Sequence, residues 1–423
     1  MSTAPIIDVG LFGSMSRYGD LGVHGVLDLR RSFSRDELAR AVERTAADFP
    51  VLDCVYRPGL LRDRWVRAEG PASDAVHVAE GADVDAATLA WTGRPIDPTR
   101  ERCLRVTLIP RASGCRLIVS LSHLAVDGAG MAAVGHVLGS HLYGERPMLP
   151  IETERSLGRA LDGLTWVHLP VLARDLAKTL VQPLRVFLSG RRERPYPEDG
   201  SPGLKTRELI LSAAEIEELR RRCGGRATVN DLLVAAMARV GARRSDRGAV
   251  PVLYTIDLRR FSRAPHLSAA NVSSFLTAFV PREATRDFAT AAAAARAITD
   301  RHRKSLLGPA FVLLPVVLSA RTPHAVLRSV LPFVHKIAVD LPVSRGLLFT
   351  NVGKIDAGLG PFARDIESLR VVGPNVRGVP IPAVVAYGLH GRVHLSLFAP
   401  PGLSETAVHE MEKEILEALE LVR

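Results

Sequence analysis

The most informative stretch of the chain is Cys115-Arg-Leu-Ile-Val-Ser-Leu-Ser-His-Leu-Ala-Val-Asp-Gly128. Its apolar start predicts a strand, and its end reads His-x-x-x-Asp-Gly. Ala129-Gly-Met-Ala-Ala-Val-Gly-His-Val-Leu138 follows with the spacing of a buried helix. One His and one Asp therefore occupy a strand-to-helix corner, with a Gly directly after. A side chain at such a corner can face a cleft while rigid backbone holds it. A lone His at a strand end is more often structural. The three fixed letters arise by chance in roughly a few per cent of chains this long. The strand before and the Gly/Ala-rich helix after favour a functional motif, because a motif gains meaning from its structural context.

The neighbouring sequence extends this picture. The apolar runs 103–109 and 115–122 are separated by Pro110-Arg-Ala-Ser-Gly114, which predicts an antiparallel hairpin leading into the motif. Upstream, 21–29 reads as a strand. Ser34-Arg-Asp-Glu37 is a capping box that opens an amphipathic helix through Leu38, Val42 and Ala46. Phe49-Pro50 ends that helix, and 51–56 and 64–67 read as short strands. Residues 156–189 read as helical.

Arg191 to Gly203 is rich in Arg, Pro, Glu and Gly, and it is the candidate linker. The expected organisation is an N-terminal lobe over 1–190, a linker over 191–203 and a C-terminal lobe over 204–423. The second half repeats the same grammar. A strand is expected at 206–211, then a capping box at Ser212-Ala-Ala-Glu215 with a helix stopping at Gly224-Gly225. An apolar helix follows at 228–240, strands at 250–257 and 274–280, and a helix at 290–303. Strands at 347–351, 368–373, 384–389 and 393–398 precede a closing helix at 405–422.

With 423 residues, 47% of them hydrophobic, the chain is long enough for two packed cores. The formal charge of +10 favours acidic partners. The basic clusters Arg191-Arg-Glu-Arg194 and Arg220-Arg-Arg222 are short. No zinc-finger spacing, aromatic RNA-binding signature or helix-turn-helix accompanies them, so nucleic acid is not an expected partner. The four cysteines form no Cys-x-x-Cys pair, and no metal site is expected. The start, Met-Ser-Thr-Ala-Pro-Ile6, lacks a signal-peptide pattern, and a cytoplasmic location is the expectation. The apolar run 310–318 is too short to span a bilayer, contains Pro315, and reads as a core helix.

Taken together, these residues resemble the chloramphenicol acetyltransferase-like superfamily of acyltransferases and condensation domains. Six segments carry the likeness beside the motif: Phe49-Pro-Val-Leu52, Arg94-Pro-Ile-Asp97, Thr228-Val-Asn-Asp-Leu-Leu233, Tyr254-Thr-Ile-Asp-Leu-Arg259, Asn271-Val-Ser-Ser-Phe275 and Thr350-Asn-Val-Gly-Lys354. Two departures matter. Condensation domains usually carry a second His where this chain has Ser122, and the Asp-Phe-Gly-Trp-Gly motif of plant members is absent. The pattern is therefore closer to bacterial polyketide-associated and alcohol O-acyltransferases.

The resemblance implies a mixed α+β fold, with two lobes forming a V-shaped pseudo-dimer around a central channel. It implies acyl transfer from a thioester, either acyl-CoA or an acidic acyl or peptidyl carrier protein, to a small alcohol or amine. The thioester is a co-substrate, and no tightly bound cofactor is expected. His123 is the expected general base. Asp127 is expected to turn from the cleft and pair with Arg259, although a triad-like role orienting His123 is the competing reading. Gly128 permits close backbone approach or offers its N–H to the thioester oxygen. Ser122, Asn351 and Gly353 are candidate channel residues. A monomer is the family default. The competing functions are a freestanding condensation enzyme forming an amide, and an inactive carrier-docking module.

Overall fold

The structure, a computed structural model, describes residues 2–79, 83–188, 196–201, 203–246, 248–331, 348–356, 358–374 and 382–421. Helices and strands alternate along the chain and assemble into two lobes, each around its own large sheet.

The first sheet has five strands in the order Ile366–Val372, Gly22–Leu29, Cys115–Ser122, Leu104–Pro110, Val76–Val78. The hairpin entering the motif sets Leu104 opposite Leu121 and Pro110 opposite Cys115. Gly114 closes it with φ +77°, and a Cβ there would lie 1.9 Å from the Leu29 carbonyl oxygen. Only glycine fits that turn. The motif strand Cys115–Ser122 is buried on both faces. Leu117, Val119 and Leu121 join a core that includes Val134, Val137 and Leu138 of the motif helix, Gly128–Tyr143, and Leu38 and Val42 of helix Arg35–Asp48. Ile118 points the other way, to Val26, Ile109 and Ala87 of helix Val84–Thr92.

The second sheet runs Ser273–Pro281, Ala249–Asp257, Leu348–Lys354, Ala383–Leu389, Arg392–Ala399, Lys205–Leu211. Ala249–Asp257, Leu348–Lys354 and Ala383–Leu389 are parallel, so their C-terminal ends share one edge. Helices Val229–Arg244, Phe288–Arg303 and Glu405–Ala418 supply Leu232, Leu233, Phe288, Ala292, Met411 and Ile415 to its core.

Among the described residues, the division of the sequence at 191–203 is crossed by two strand pairings, one of them the short parallel pair Ile151–Glu152 with Leu267–Ser268. Strand Ile366–Val372 leaves the second half and adds antiparallel to Gly22–Leu29. Phe362, fully buried just before it, touches the motif helix so closely that a Cβ on Gly139 would lie 2.8 Å from its ring. Residues 191–195 and 202, including the Arg191 cluster, lie outside the described residues.

Four expectations are corrected. The helical segment 156–189 is broken into Leu157–Ala160, a short 3-10 turn Trp166–His168, and Leu169–Leu188. The break falls at Gly163, where a Cβ would lie 2.4 Å from the Phe261 carbonyl oxygen; Ser189 lies outside the described residues. The expected strand 51–56 begins as a 3-10 turn, Pro50–Asp53, because Pro50 starts a helical turn readily; the strand is Cys54–Arg57. The expected core helix 310–318 forms within Leu307–Ser319 but exposes Phe311 and Val317. The closing helix ends at Ala418 rather than 422, two residues before Glu420 adopts φ +57°.

Candidate active site

His123 is the first residue after the motif strand and is half-buried. Ser122 before it is buried, donates its backbone N–H to the Cys103 carbonyl at 2.9 Å, and accepts the Leu124 N–H on its Oγ at 3.3 Å. Ser122 thus shapes the turn that follows. The His123 N–H donates to the Leu21 carbonyl at 2.9 Å. Its Nδ1 is buried without a hydrogen-bond partner among the described residues.

Asp127 does not serve that ring. It caps the motif helix by accepting the Gly130 N–H on Oδ1 at 2.8 Å. Its Oδ2 accepts the Val272 N–H at 2.9 Å and the Ser273 hydroxyl at 2.8 Å. Arg259 completes the set, with Nη2 at 3.1 Å from Oδ1 and Nη1 at 3.2 Å from Oδ2. Burial would push the Asp127 carboxyl up, but Arg259 and the backbone donors outweigh it and hold the group below the usual carboxylate range. Arg259 also reaches Asp257 at 3.0 Å and donates from Nη2 to the Ala270 carbonyl at 2.9 Å. Asp127 thereby clamps the corner of the first lobe to segment 269–273 of the second.

Gly128 opens the motif helix and is exposed. A Cβ added to it would meet only Val352 Cγ2 at 3.8 Å, an ordinary contact, so the fold itself does not require glycine there. Val352 lies between Asn351 and Gly353, at a register shift in strand Leu348–Lys354. Gly353 has φ +82° and donates its N–H to Asn351 Oδ1 at 2.9 Å. Asn351 Nδ2 reaches Asn230 Oδ1 at 3.3 Å. The structure therefore gathers His123, Asp127, Gly128, Arg259 and the bulge flanked by Asn351 and Gly353 around the junction of the two lobes.

Sequence reasoning gave no role to three residues that grip this corner. Asn271 donates from Nδ2 to the carbonyls of His123 at 2.9 Å and Leu124 at 2.8 Å. Arg155 donates from Nη2 to the Ala125 carbonyl and from Nε to the Ala269 carbonyl, both at 2.8 Å. Asp8, buried in the first helix, Ile6–Tyr18, holds Arg155 Nη1 at 2.8 Å and accepts from Trp65 Nε1 at 2.9 Å. Burial pushes the Asp8 carboxyl up against the pull of Arg155. Arg155 falls in no periodic pattern and carries no sequence signal. Asp8 does carry one, as a lone acid in the apolar run Ile6-Ile-Asp-Val-Gly-Leu-Phe12.

No protein-family model and no curated protein sequence matches the chain. Solved structures do. The trichothecene 15-O-acetyltransferase of Fusarium sporotrichioides aligns over 99% of this chain and 94% of its own, with TM-score 0.72 and 13% identity. The first condensation domain of the CDA synthetase covers 100% and 95%, with TM-score 0.66 and 14% identity. Polyketide synthase associated protein 5 of Mycobacterium tuberculosis covers 99% of each chain, with TM-score 0.61 and 17% identity. The chain thus shares the two-lobed fold of these acetyltransferase and condensation-domain structures. At 13–17% identity the likeness establishes the fold, and the reaction has to be argued from the site.

Proposed function

We propose that this chain is an acyltransferase that moves an acyl group from a thioester to a hydroxyl acceptor, with His123 as general base. The observation that carries the proposal is the division of labour at the corner. Asp127 is consumed by Arg259, Gly130, Val272 and Ser273, which leaves Nδ1 of the half-buried His123 without a hydrogen-bond partner among the described residues.

A neutral alcohol is a poor nucleophile near pH 7. An imidazole takes its proton as the C–O bond forms, a contribution of typically ~10²–10⁴-fold. The C–S bond then breaks, and the same ring returns the proton to the departing thiolate. No acyl-enzyme is required. Holding donor and acceptor together at the lobe junction supplies further acceleration. Gly128 is exposed and its Cβ position is open, which suits it to border the thioester arm.

The donor class is acyl-CoA or a carrier-bound phosphopantetheinyl thioester, and the acceptor a small alcohol of secondary-metabolite or lipid biosynthesis. The net charge of +10 and the O-acetyltransferase and polyketide-associated neighbours support this choice. The test is free-thiol release from a panel of acyl-CoA and acyl-carrier thioesters, with alcohol and amine acceptors, for wild type and His123→Ala. Release with alcohols should fall at least ~100-fold in the variant. Unchanged release would overturn the base assignment. Preference for amines would make the protein a condensation enzyme, and carrier binding without turnover would make it a docking module.

A further inference from the structure

We infer that Asn271 and Arg155 are positioning residues that set the imidazole of His123, with Asp8 as their anchor; this rests on the general-base reading of His123. The turn after the motif strand is not helical, so its own backbone cannot satisfy its carbonyl groups. Three successive carbonyls, those of His123, Leu124 and Ala125, are each met by a side chain from elsewhere. Asn271 serves the first two and Arg155 the third. The backbone on the C-terminal side of His123 is therefore pinned from outside its own strand.

Asn271 is placed for this task in a way that stability alone does not explain. Its three acceptors are the carbonyl oxygens of His123 and Leu124 and, at 3.5 Å, Asp8 Oδ1, so the amide nitrogen must face the turn and the anchor. Its Oδ1 is then left buried with no partner among the described residues. A buried amide satisfied at only one end is an expensive cap, and such an exception calls for a reason. Its position supplies one. Asn271 belongs to the second-lobe segment in which Ala270, Val272 and Ser273 contact Asp127 or Arg259, so the pose of His123 depends on the two lobes meeting correctly. Arg155 ties the same turn to Ala269 and, through Asp8, to the first helix. An Arg suits this because its planar fork reaches three acceptors at fixed angles, which a Lys cannot do.

The experiment combines kinetics with nuclear magnetic resonance of the full chain labelled with ¹⁵N-histidine. The His123 signals are identified by their loss in His123→Ala. In a folded Asn271→Ala protein, kcat should fall roughly 10–100-fold while KM for both substrates moves less than about threefold, as for misplacement of a general base. The His123 ring signals should shift or broaden. Arg155→Lys keeps the charge facing Asp8 but loses the fork, and should show the same signature more weakly; it also serves if Asn271→Ala does not fold. Unchanged kcat and unchanged His123 signals in a folded variant would overturn the inference. If the wild type releases no thiol from any pair, the function proposal fails. The His123 signals still decide whether Asn271 and Arg155 hold the ring.

Discussion

At the scale of single residues, the site divides two carboxylate-related tasks that could have been confused. A His and an Asp four positions apart invite a triad. The structure instead spends Asp127 on the Arg259 pair and leaves His123 Nδ1 without a partner among the described residues. Both partners are nearly inaccessible, with side chains 9% exposed for Arg259 and 4% for Asp127. Breaking such a pair by removing one member leaves an uncompensated buried charge, at ~3–5 kcal/mol. Arg259→Gln and Asp127→Asn should each lower the urea midpoint accordingly, and the double variant should lose much less than their sum. Additive losses would mean that the two side chains act independently. Gly128 separates stability from function. Its Cβ position is open, so Gly128→Ala should leave the unfolding free energy from urea titration equal or raise it by up to ~1 kcal/mol. Thiol release in the same variant should fall about 10-fold if the thioester arm runs over this residue, the fold-change expected when a positioned substrate is displaced. Equal turnover would route the arm elsewhere.

At the scale of elements, local chemistry explains which parts were legible. The boxes at Ser34–Glu37 and Ser212–Glu215 both form, because a Ser and a Glu three positions apart satisfy each other's free backbone donors without help from the rest of the fold. A third box, Thr228–Asp231, went unread because Asp is the less usual partner. The motif hairpin was legible for a similar reason. Its turn rests on Gly114, whose φ of +77° is a conformation glycine adopts without strain. Gly114→Ala combines a left-handed φ with a 1.9 Å clash, and it should destabilise the first lobe by several kcal/mol. A urea midpoint near that of the wild type would show that the hairpin can reshape without cost. The helix break at Gly163 shows the opposite case. Nothing in the local pattern of 156–189 demanded it, and a distant backbone atom at Phe261 did.

At the scale of the whole molecule, the two lobes are not independent beads on a linker. Strand Ile366–Val372 completes the first sheet, and Tyr387 of the second lobe donates its hydroxyl to the Leu369 carbonyl at 2.6 Å. Without that strand, Gly22–Leu29 becomes an exposed apolar edge, which favours self-association. A protein of residues 1–190 alone should therefore aggregate or unfold without cooperativity, as read by urea titration and light scattering. A monodisperse, cooperatively folding fragment would show the crossover strand to be dispensable. The sequence by itself determined the strand–turn–helix motif, the hairpin, two helix caps and the place of the His proposed as general base. Each depends on residues close together in the chain, whose spacing and backbone preferences act before any tertiary contact forms. Only the tertiary structure decided what holds that His. Asn271 lies 148 positions from His123, and Arg155 lies 30 positions from Ala125. A hydrogen bond to a backbone carbonyl asks only for a donor at the right place, so it leaves no periodicity or motif for a sequence to display.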